Sequence, residues 1–217
     1  MLEAHEFNKS ILRAYDIRGI VGQTLNNIDA ERLGNIFASS FKGDTKIIVC
    51  RDGRLSSADL VNSLKKGLFE SGADVIDIGL GPSPMLYYAA NHFKSDGAIM
   101  VTGSHNPADH NGFKIMKGTV PFFGKDILDI GVRGLKRDWN YSQGSLQDNY
   151  VEDDYVQALL QSTKINNLKK NLKVVWDPGN GAAGEIIKKL INFLPGQHII
   201  INEKIDGTFP AHHPDPT

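Results

Sequence analysis

Three short apolar runs, at residues 46–50, 75–78 and 98–101, alternate with stretches whose apolar residues recur every three or four positions. Each run reads as a buried strand, and each intervening stretch reads as a helix with one apolar face. Asp29 is placed to cap a helix in which Ala30, Leu33, Phe37 and Phe41 share a face. Ser56 with Asp59 makes a capping-box-like start to a second helix, buried through Leu60, Val61, Leu64 and Leu68 and stopped near Gly72. Residues 85–93 and 125–137 read as two more. Strands and helices alternating at these lengths predict an α/β fold, with βαβ units around a largely parallel or mixed sheet. Ligands of such sheets gather at the carboxyl ends of the strands.

The pattern runs through two units. The helix over 125–137 closes the first, and the polar stretch Asn140-Tyr141-Ser142-Gln143-Gly144-Ser145 reads as a linker. Residues 1–145 are therefore expected to form one complete domain. Beyond them, Tyr155, Val156, Leu159 and Leu160 begin a helix, 173–176 and 198–201 read as strands, and 185–193 reads as a helix. Residues 146–217 are expected to be part of a second domain of similar type, interrupted after Pro214-Asp215-Pro216-Thr217. With 217 residues the chain is long for one domain and short for two. A faint internal echo links the Asp52-Gly53 turn after the first strand to Asp177-Pro178-Gly179 after 173–176.

Composition mainly excludes. A net charge of −1 gives no bulk attraction to nucleic acid or to an anionic membrane. No apolar run approaches the roughly 18 residues of a membrane span. The start Met1-Leu2-Glu3-Ala4-His5-Glu6 lacks the basic and apolar regions of a signal peptide, so the cytoplasm is the expected location. Cys50, the one cysteine, lies in a strand-like run and reads as a buried thiol. Nothing in the sequence sets an oligomeric state.

The chemistry concentrates in Thr102-Gly103-Ser104-His105-Asn106-Pro107, followed by Asn111-Gly112-Phe113-Lys114. Gly103 permits a tight reversal after the strand at 98–101, and Pro107 prevents simple continuation as strand or helix. The Ser104 hydroxyl is thereby pushed out at the end of the sheet, with His105 and Lys114 available nearby. A serine so placed can carry a covalent group, and a lysine can balance its charge. Loops rich in Ser, Asn and Pro are usually plain turns, however.

This loop closely resembles the phosphoserine loop of the phosphohexomutases, the family of phosphomannomutase and phosphoglucomutase. Other stretches are similar to the same family: Arg13-Ala14-Tyr15-Asp16-Ile17-Arg18-Gly19, Arg51-Asp52-Gly53-Arg54, Leu86-Tyr87-Tyr88-Ala89-Ala90, and Asp206-Gly207-Thr208-Phe209-Pro210 with His212-His213-Pro214-Asp215-Pro216. The resemblance covers essentially the whole chain. It implies that Ser104 carries a phosphoryl group to and from a hexose phosphate, converting 6-phosphate to 1-phosphate through a bisphosphate. Phosphoryl transfer needs cations around the transferring oxygens, and the resemblance gives that role to Arg18 and Lys114, with Lys114 also assisting proton transfer. His105 is the candidate acid/base or orienting group. Tyr15 and Asn106 are candidates for the sugar, with Tyr15 also helping to place Arg18. Taken singly, Arg18 and Lys114 read as solvated cations, His105 as a loop stabiliser and Tyr15 as packing. The family binds Mg²⁺ through an Asp-Gly-Asp-Gly-Asp loop together with the serine phosphate. No Asp-Gly-Asp occurs here, so the implied metal contact is Ser104 through its phosphate, and a chain without that loop is expected to be inactive alone.

Two rival readings remain at this level. One is a catalytically silent fragment that binds a phosphosugar or a partner chain. The other rests on Gly179-Asn180-Gly181-Ala182-Ala183-Gly184, which matches the dinucleotide glycine pattern, with Glu203 roughly where a ribose-binding acid belongs. Asp177 and Pro178 lengthen that turn and put a carboxylate where a pyrophosphate would lie. His212-His213 invites a metal reading, but adjacent residues of an extended segment point to opposite sides and chelate poorly.

Overall fold

Strand alternation becomes a mixed sheet covered on both faces in the computed structural model, which describes residues 3–162 and 171–215. Its elements are β1 (Ile17–Ile20), α1 (Asn27–Ala38), β2 (Thr45–Arg51), α2 (Ser57–Phe69), β3 (Ala73–Leu80), α3 (Ser83–His92), β4 (Gly97–Val101), β5 (His110–Lys117), β6 (Val120–Pro121), α4 (Lys125–Lys136) and β7 (Ser145–Asp148). The strand order is β1-β5-β4-β2-β3-β7, with β6 paired to β5. From β4 to β7 the pairings are parallel, whereas β5 is antiparallel to β4 and to β1.

Successive residues of a strand face opposite sides, and here both sides are apolar. Ile47, Val49, Val75, Ile99, Val101, Phe113 and Ile115 join Leu33, Leu60, Leu64, Ile127 and Ile130 in one cluster, beneath α1, α2 and α4. Ile48, Cys50, Ile76, Ile78, Ala98, Met100 and Met116 form the other. That second face is closed by Met85, Leu86 and Ala89 of α3 and by Tyr155, Val156 and Leu160 of α5 (Glu152–Ser162). Burial pushes the Cys50 thiol up to about 12, as suits an unreactive core cysteine.

Several local expectations change. Helix α1 starts after Asn26; Asp29 sits in its first turn and accepts the Asn26 N–H at 2.7 Å, so Asp29 reciprocates the cap. Phe41 lies beyond the helix. Ser56 makes no side-chain cap on α2; it accepts a hydrogen bond from Asn111 Nδ2 at 2.9 Å instead. The stretch 140–145 is tied down: Ser142 and Gly144 donate to the Glu70 and Phe69 carbonyls at the end of α2. The chain then runs into β7, beside β3, so the expected division at 145/146 falls within a strand of the first sheet.

The second unit adds β8 (Lys173–Trp176), α6 (Gly184–Ile191) and β9 (Gln197–Ile200), with β8 and β9 parallel. Val175 and Ile199 remain 58% and 42% exposed on this two-stranded sheet. Pro216 and Thr217, which end the expected approach to a metal loop, lie outside the described residues. Among the described residues no helix is long and apolar enough to cross a membrane.

Candidate active site

Parallel strands β2 and β4 are neighbours, so the turn after β2 and the loop after β4 emerge at the same carboxyl edge of the sheet. Asp52 N donates to Val101 O at 2.9 Å and starts their joining. The Asp52 carboxylate continues it. One oxygen accepts from Arg54 N at 3.0 Å and Ser57 Oγ at 2.5 Å. The other accepts from Thr102 Oγ1 at 2.7 Å, Gly103 N at 3.2 Å and Arg54 Nε at 3.2 Å.

Arg54, whose side chain is fully buried, is the hub. Nη2 donates to Ser104 O at 2.9 Å and to Asn106 O at 2.7 Å; Nη1 donates to Pro107 O at 2.5 Å and to His110 O at 3.0 Å. With Nε on Asp52, all five N–H groups of the guanidinium have acceptors. Burial draws the Arg54 pKa down and Asp52 opposes it. Gly103 is required by this packing: a Cβ there would lie 2.2 Å from the guanidinium carbon and 2.6 Å from His110 O.

Ser104 is therefore held from both sides, its carbonyl by Arg54 and its N–H by Thr102 Oγ1 at 2.8 Å. Its φ of 52° is left-handed, a conformation that costs a non-glycine residue on the order of 1 kcal/mol and that collects at functional sites. Among the described residues the Ser104 hydroxyl has no hydrogen-bond partner. It lines a cleft of about 350 Å³ together with His105, Thr102, Asp52, Asp177 and Phe209.

Of the other expected site residues, Arg18 is brought to the loop. Buried at 4% exposure, it donates from Nη1 to Gly103 O at 2.5 Å and pairs with Asp16; Nε is buried with no hydrogen-bond partner among the described residues. Desolvation by burial lowers its pKa, and the Asp16 charge opposes the shift. His105 is exposed at the cleft. Lys114 lies on β5 opposite Met100, which lines the cleft, while Lys114 itself is not among the lining residues and makes no ion pair among the described residues. Asn106 turns inward, donating from Nδ2 to Gly103 O at 3.2 Å. Tyr15 is 82% exposed; Asp16, and not Tyr15, orients Arg18. Arg54 and Asp52, which carry the loop, are not marked as site residues by sequence alone. Their one signal is three charged residues in four, Arg51-Asp52-Gly53-Arg54, at a strand's carboxyl end.

The second unit supplies the opposite wall. Asp177, after β8, accepts from Gly179 N at 2.9 Å, Asn202 Nδ2 at 3.0 Å and His212 Nε2 at 3.0 Å. The dinucleotide reading fails here. Gly179 N–H is capped by Asp177, Gly181 N donates to Pro178 O, and Asn180 N donates to Asn202 O, so the three amides of the glycine turn itself are engaged within the protein. No three His, Cys, Asp or Glu side chains are grouped to hold a metal among the described residues.

His212 Nδ1 also meets His213 O at 2.8 Å. Both ring nitrogens face acceptors, which favours the doubly protonated imidazolium. The His213 carbonyl and then Asp177 raise the His212 pKa above 6.5. Hydrogen bonds from Asn202 and Gly179 lower Asp177 below 3.8. The His212 contribution is thus full below pH 6.5 and fades as pH rises through its raised value, whereas the Asp177 contribution fades as pH falls through its lowered one. Amide protection across 208–213, taken relative to the intrinsic exchange rate at each pH, should be greatest between these limits and should fall as pH rises through the raised His212 value. An His212→Ala chain that keeps the same alkaline fall in protection would refute this.

Fold and loop define a mixed α/β domain that carries a strained serine at the carboxyl edge of its sheet. Profiles for "Phosphoglucomutase/phosphomannomutase, alpha/beta/alpha domain I" and for domain II match residues 9–129 and 153–217. A phosphomannomutase/phosphoglucomutase of Pseudomonas putida is 43% identical over 209 residues, 95% of this chain and 44% of that protein. A phosphoglucomutase of Neisseria meningitidis is 36% identical, covering 96% of this chain and 46% of its own. A crystal structure of a phosphoglucomutase/phosphomannomutase family protein from Burkholderia thailandensis superposes with a TM-score of 0.88 at 38% identity, over 95% of this chain and 47% of that one. The chain belongs to the phosphoglucomutase/phosphomannomutase family. It spans less than half the length of the curated relatives it matches.

Proposed function

We propose that this chain is the phosphoryl-carrying part of a phosphohexomutase that interconverts hexose 6-phosphate and hexose 1-phosphate, of mannose or glucose. The observation that carries the reading is Ser104, left-handed, backbone-locked and with its hydroxyl free at the cleft. Residues 1–145 are read as the domain that holds the phosphoryl group, and 146–217 as part of the next.

In the forward step the phosphorus–oxygen bond to Ser104 Oγ breaks as a sugar hydroxyl oxygen bonds to phosphorus. The hydroxyl proton passes to His105, the base nearest in sequence, and the leaving Ser104 Oγ takes up a proton from it. The bisphosphorylated sugar turns over, and Ser104 Oγ takes back its other phosphoryl group, the proton returning to the freed sugar oxygen. Arg18 and Arg54 lie behind the loop, bonded to its carbonyls, so they fix its shape and contribute positive potential without touching the phosphate. Lys114 is the cation left to neutralise the transferring oxygens. Asn106 and Tyr15 are the candidates for the sugar.

Mg²⁺ is the cofactor that the resemblance implies, held by the Ser104 phosphate. The described carboxylates do not make its site: Asp52 and Asp177 are engaged in the bonds given above. The cytoplasm is our expectation for its location.

The test mixes the purified chain with a polypeptide carrying the carboxyl-terminal half of a relative, a hexose 1,6-bisphosphate and Mg²⁺. Intact mass and peptide mapping should locate one phosphate on Ser104. A label on Ser56 or Ser57, or none, would sink the assignment. In a coupled assay the chain alone is expected to give no glucose 6-phosphate from glucose 1-phosphate; turnover within the enzyme range of about 1–1,000 per second would contradict that.

A further inference from the structure

Arg54 has one more contact, and it comes from the second unit. Its guanidinium carbon lies 5.0 Å from the centroid of the Phe209 ring, within the range where a cation and an aromatic face attract. Phe209 is left-handed, at φ 52°, an outlier for a bulky side chain that persists only where neighbours over-determine it. The segment is braced around it. Phe209 N donates to Asp206 O at 3.0 Å, and Asp206 N donates to Asn180 O at 2.9 Å. Thr208 N and Oγ1 both donate to Asp206 Oδ1, at 2.9 and 2.6 Å. Gly207 meets the 53–55 turn so closely that a Cβ would stand 2.6 Å from Gly53 O and 2.7 Å from Leu55 N. Two strained residues, Ser104 and Phe209, thus meet one buried guanidinium.

We propose that Phe209 is a positioning residue for the Ser104 loop. By holding the face of the Arg54 guanidinium, the ring fixes the plane in which that group binds the carbonyls of Ser104, Asn106, Pro107 and His110. Seating of the second unit is in this way coupled to the order of the serine. The consequence for phosphoryl transfer rests on the function proposed above; the mechanical coupling does not.

Amide exchange of the chain, resolved by NMR, separates the two. Ser104, Asn106 and His110 donate to Thr102 Oγ1, Gly103 O and Pro107 O and report the loop; Ile48 and Ile99 report the core. Phe209→Leu should speed exchange at the loop amides roughly tenfold, the scale of losing one desolvated cation–ring contact, and should leave the core amides unchanged. Phe209→Trp should restore protection. Incorporating pentafluorophenylalanine at Phe209, which keeps the ring's shape and reverses its quadrupole, should act like leucine and decides the matter if the leucine variant does not fold. Unchanged loop exchange in these variants, or a rise shared equally by the core, overturns the proposal. Phosphate uptake at Ser104, measured in the mixture described above, is the second readout. If the wild-type chain takes up none while the exchange pattern holds, the carrier reading falls and the positioning role stands. Uptake with a loop indifferent to Phe209 gives the reverse.

Discussion

Replacing Ser104 by alanine should abolish phosphate uptake from a hexose bisphosphate, with a loss on the order of 10⁶-fold, the scale for removing a serine nucleophile. Two nearby hydroxyls are already committed, and Ser83, the remaining serine that lines the cleft, should not be labelled in its place. Thr102 Oγ1 is committed, donating to Asp52 and accepting from Ser104 N. Ser57 Oγ donates to Asp52 and accepts from Asn111. A second substitution separates chemistry from conformation. Ser104→Gly is equally inactive, but glycine adopts a φ of 52° without the penalty that serine bears. That chain should therefore gain about 0.4–1 kcal/mol in urea unfolding if relief of strain outweighs the added freedom of the unfolded chain. Alanine keeps the strain and should gain nothing. A glycine variant less stable than the alanine variant would show that the strain at Ser104 is smaller than the freedom glycine adds to the unfolded chain. Residual uptake above about 1% in either would remove Ser104 as the carrier.

Arg54→Met is expected to cost about 3–5 kcal/mol of stability, the range for breaking a buried charged pair. Methionine has similar reach but no donors. It leaves the Asp52 carboxylate short of a partner and strips four loop carbonyls of their hydrogen bonds at once. Arg54→Lys should cost less but still be clearly destabilising, because three donors cannot serve five acceptors and lack the planar fork. Denaturant midpoints followed by circular dichroism measure both. A loss under about 1 kcal/mol for Arg54→Met would mean that the loop carbonyls find water and that Arg54 is dispensable. The methionine variant should also lose phosphate uptake with its loop disordered, even at temperatures where the sheet survives.

The sequence by itself determined the α/β class, the order of the central elements and the position of the serine. Those are local properties: 46–50 and 98–101 are too apolar to face water, the helices between them show one buried stripe each, and Gly103-Ser104 breaks the strand where it stands. It also displayed the family through motifs spread along the chain. Tertiary structure decided the rest. Strands β1 and β5 are short of the apolar runs that mark a strand, since Arg18 and Lys114 interrupt them; β5 becomes a strand by pairing with β4, and β1 by pairing with β5. Helix α5 belongs by sequence to the second unit, yet it covers the first sheet. Tyr15, next to Asp16 in sequence, faces solvent. The importance of Arg54 could not be read locally because four of its five acceptors lie 50 to 56 residues away. A buried guanidinium is defined by what surrounds it, and that set exists only once β2 and β4 lie side by side.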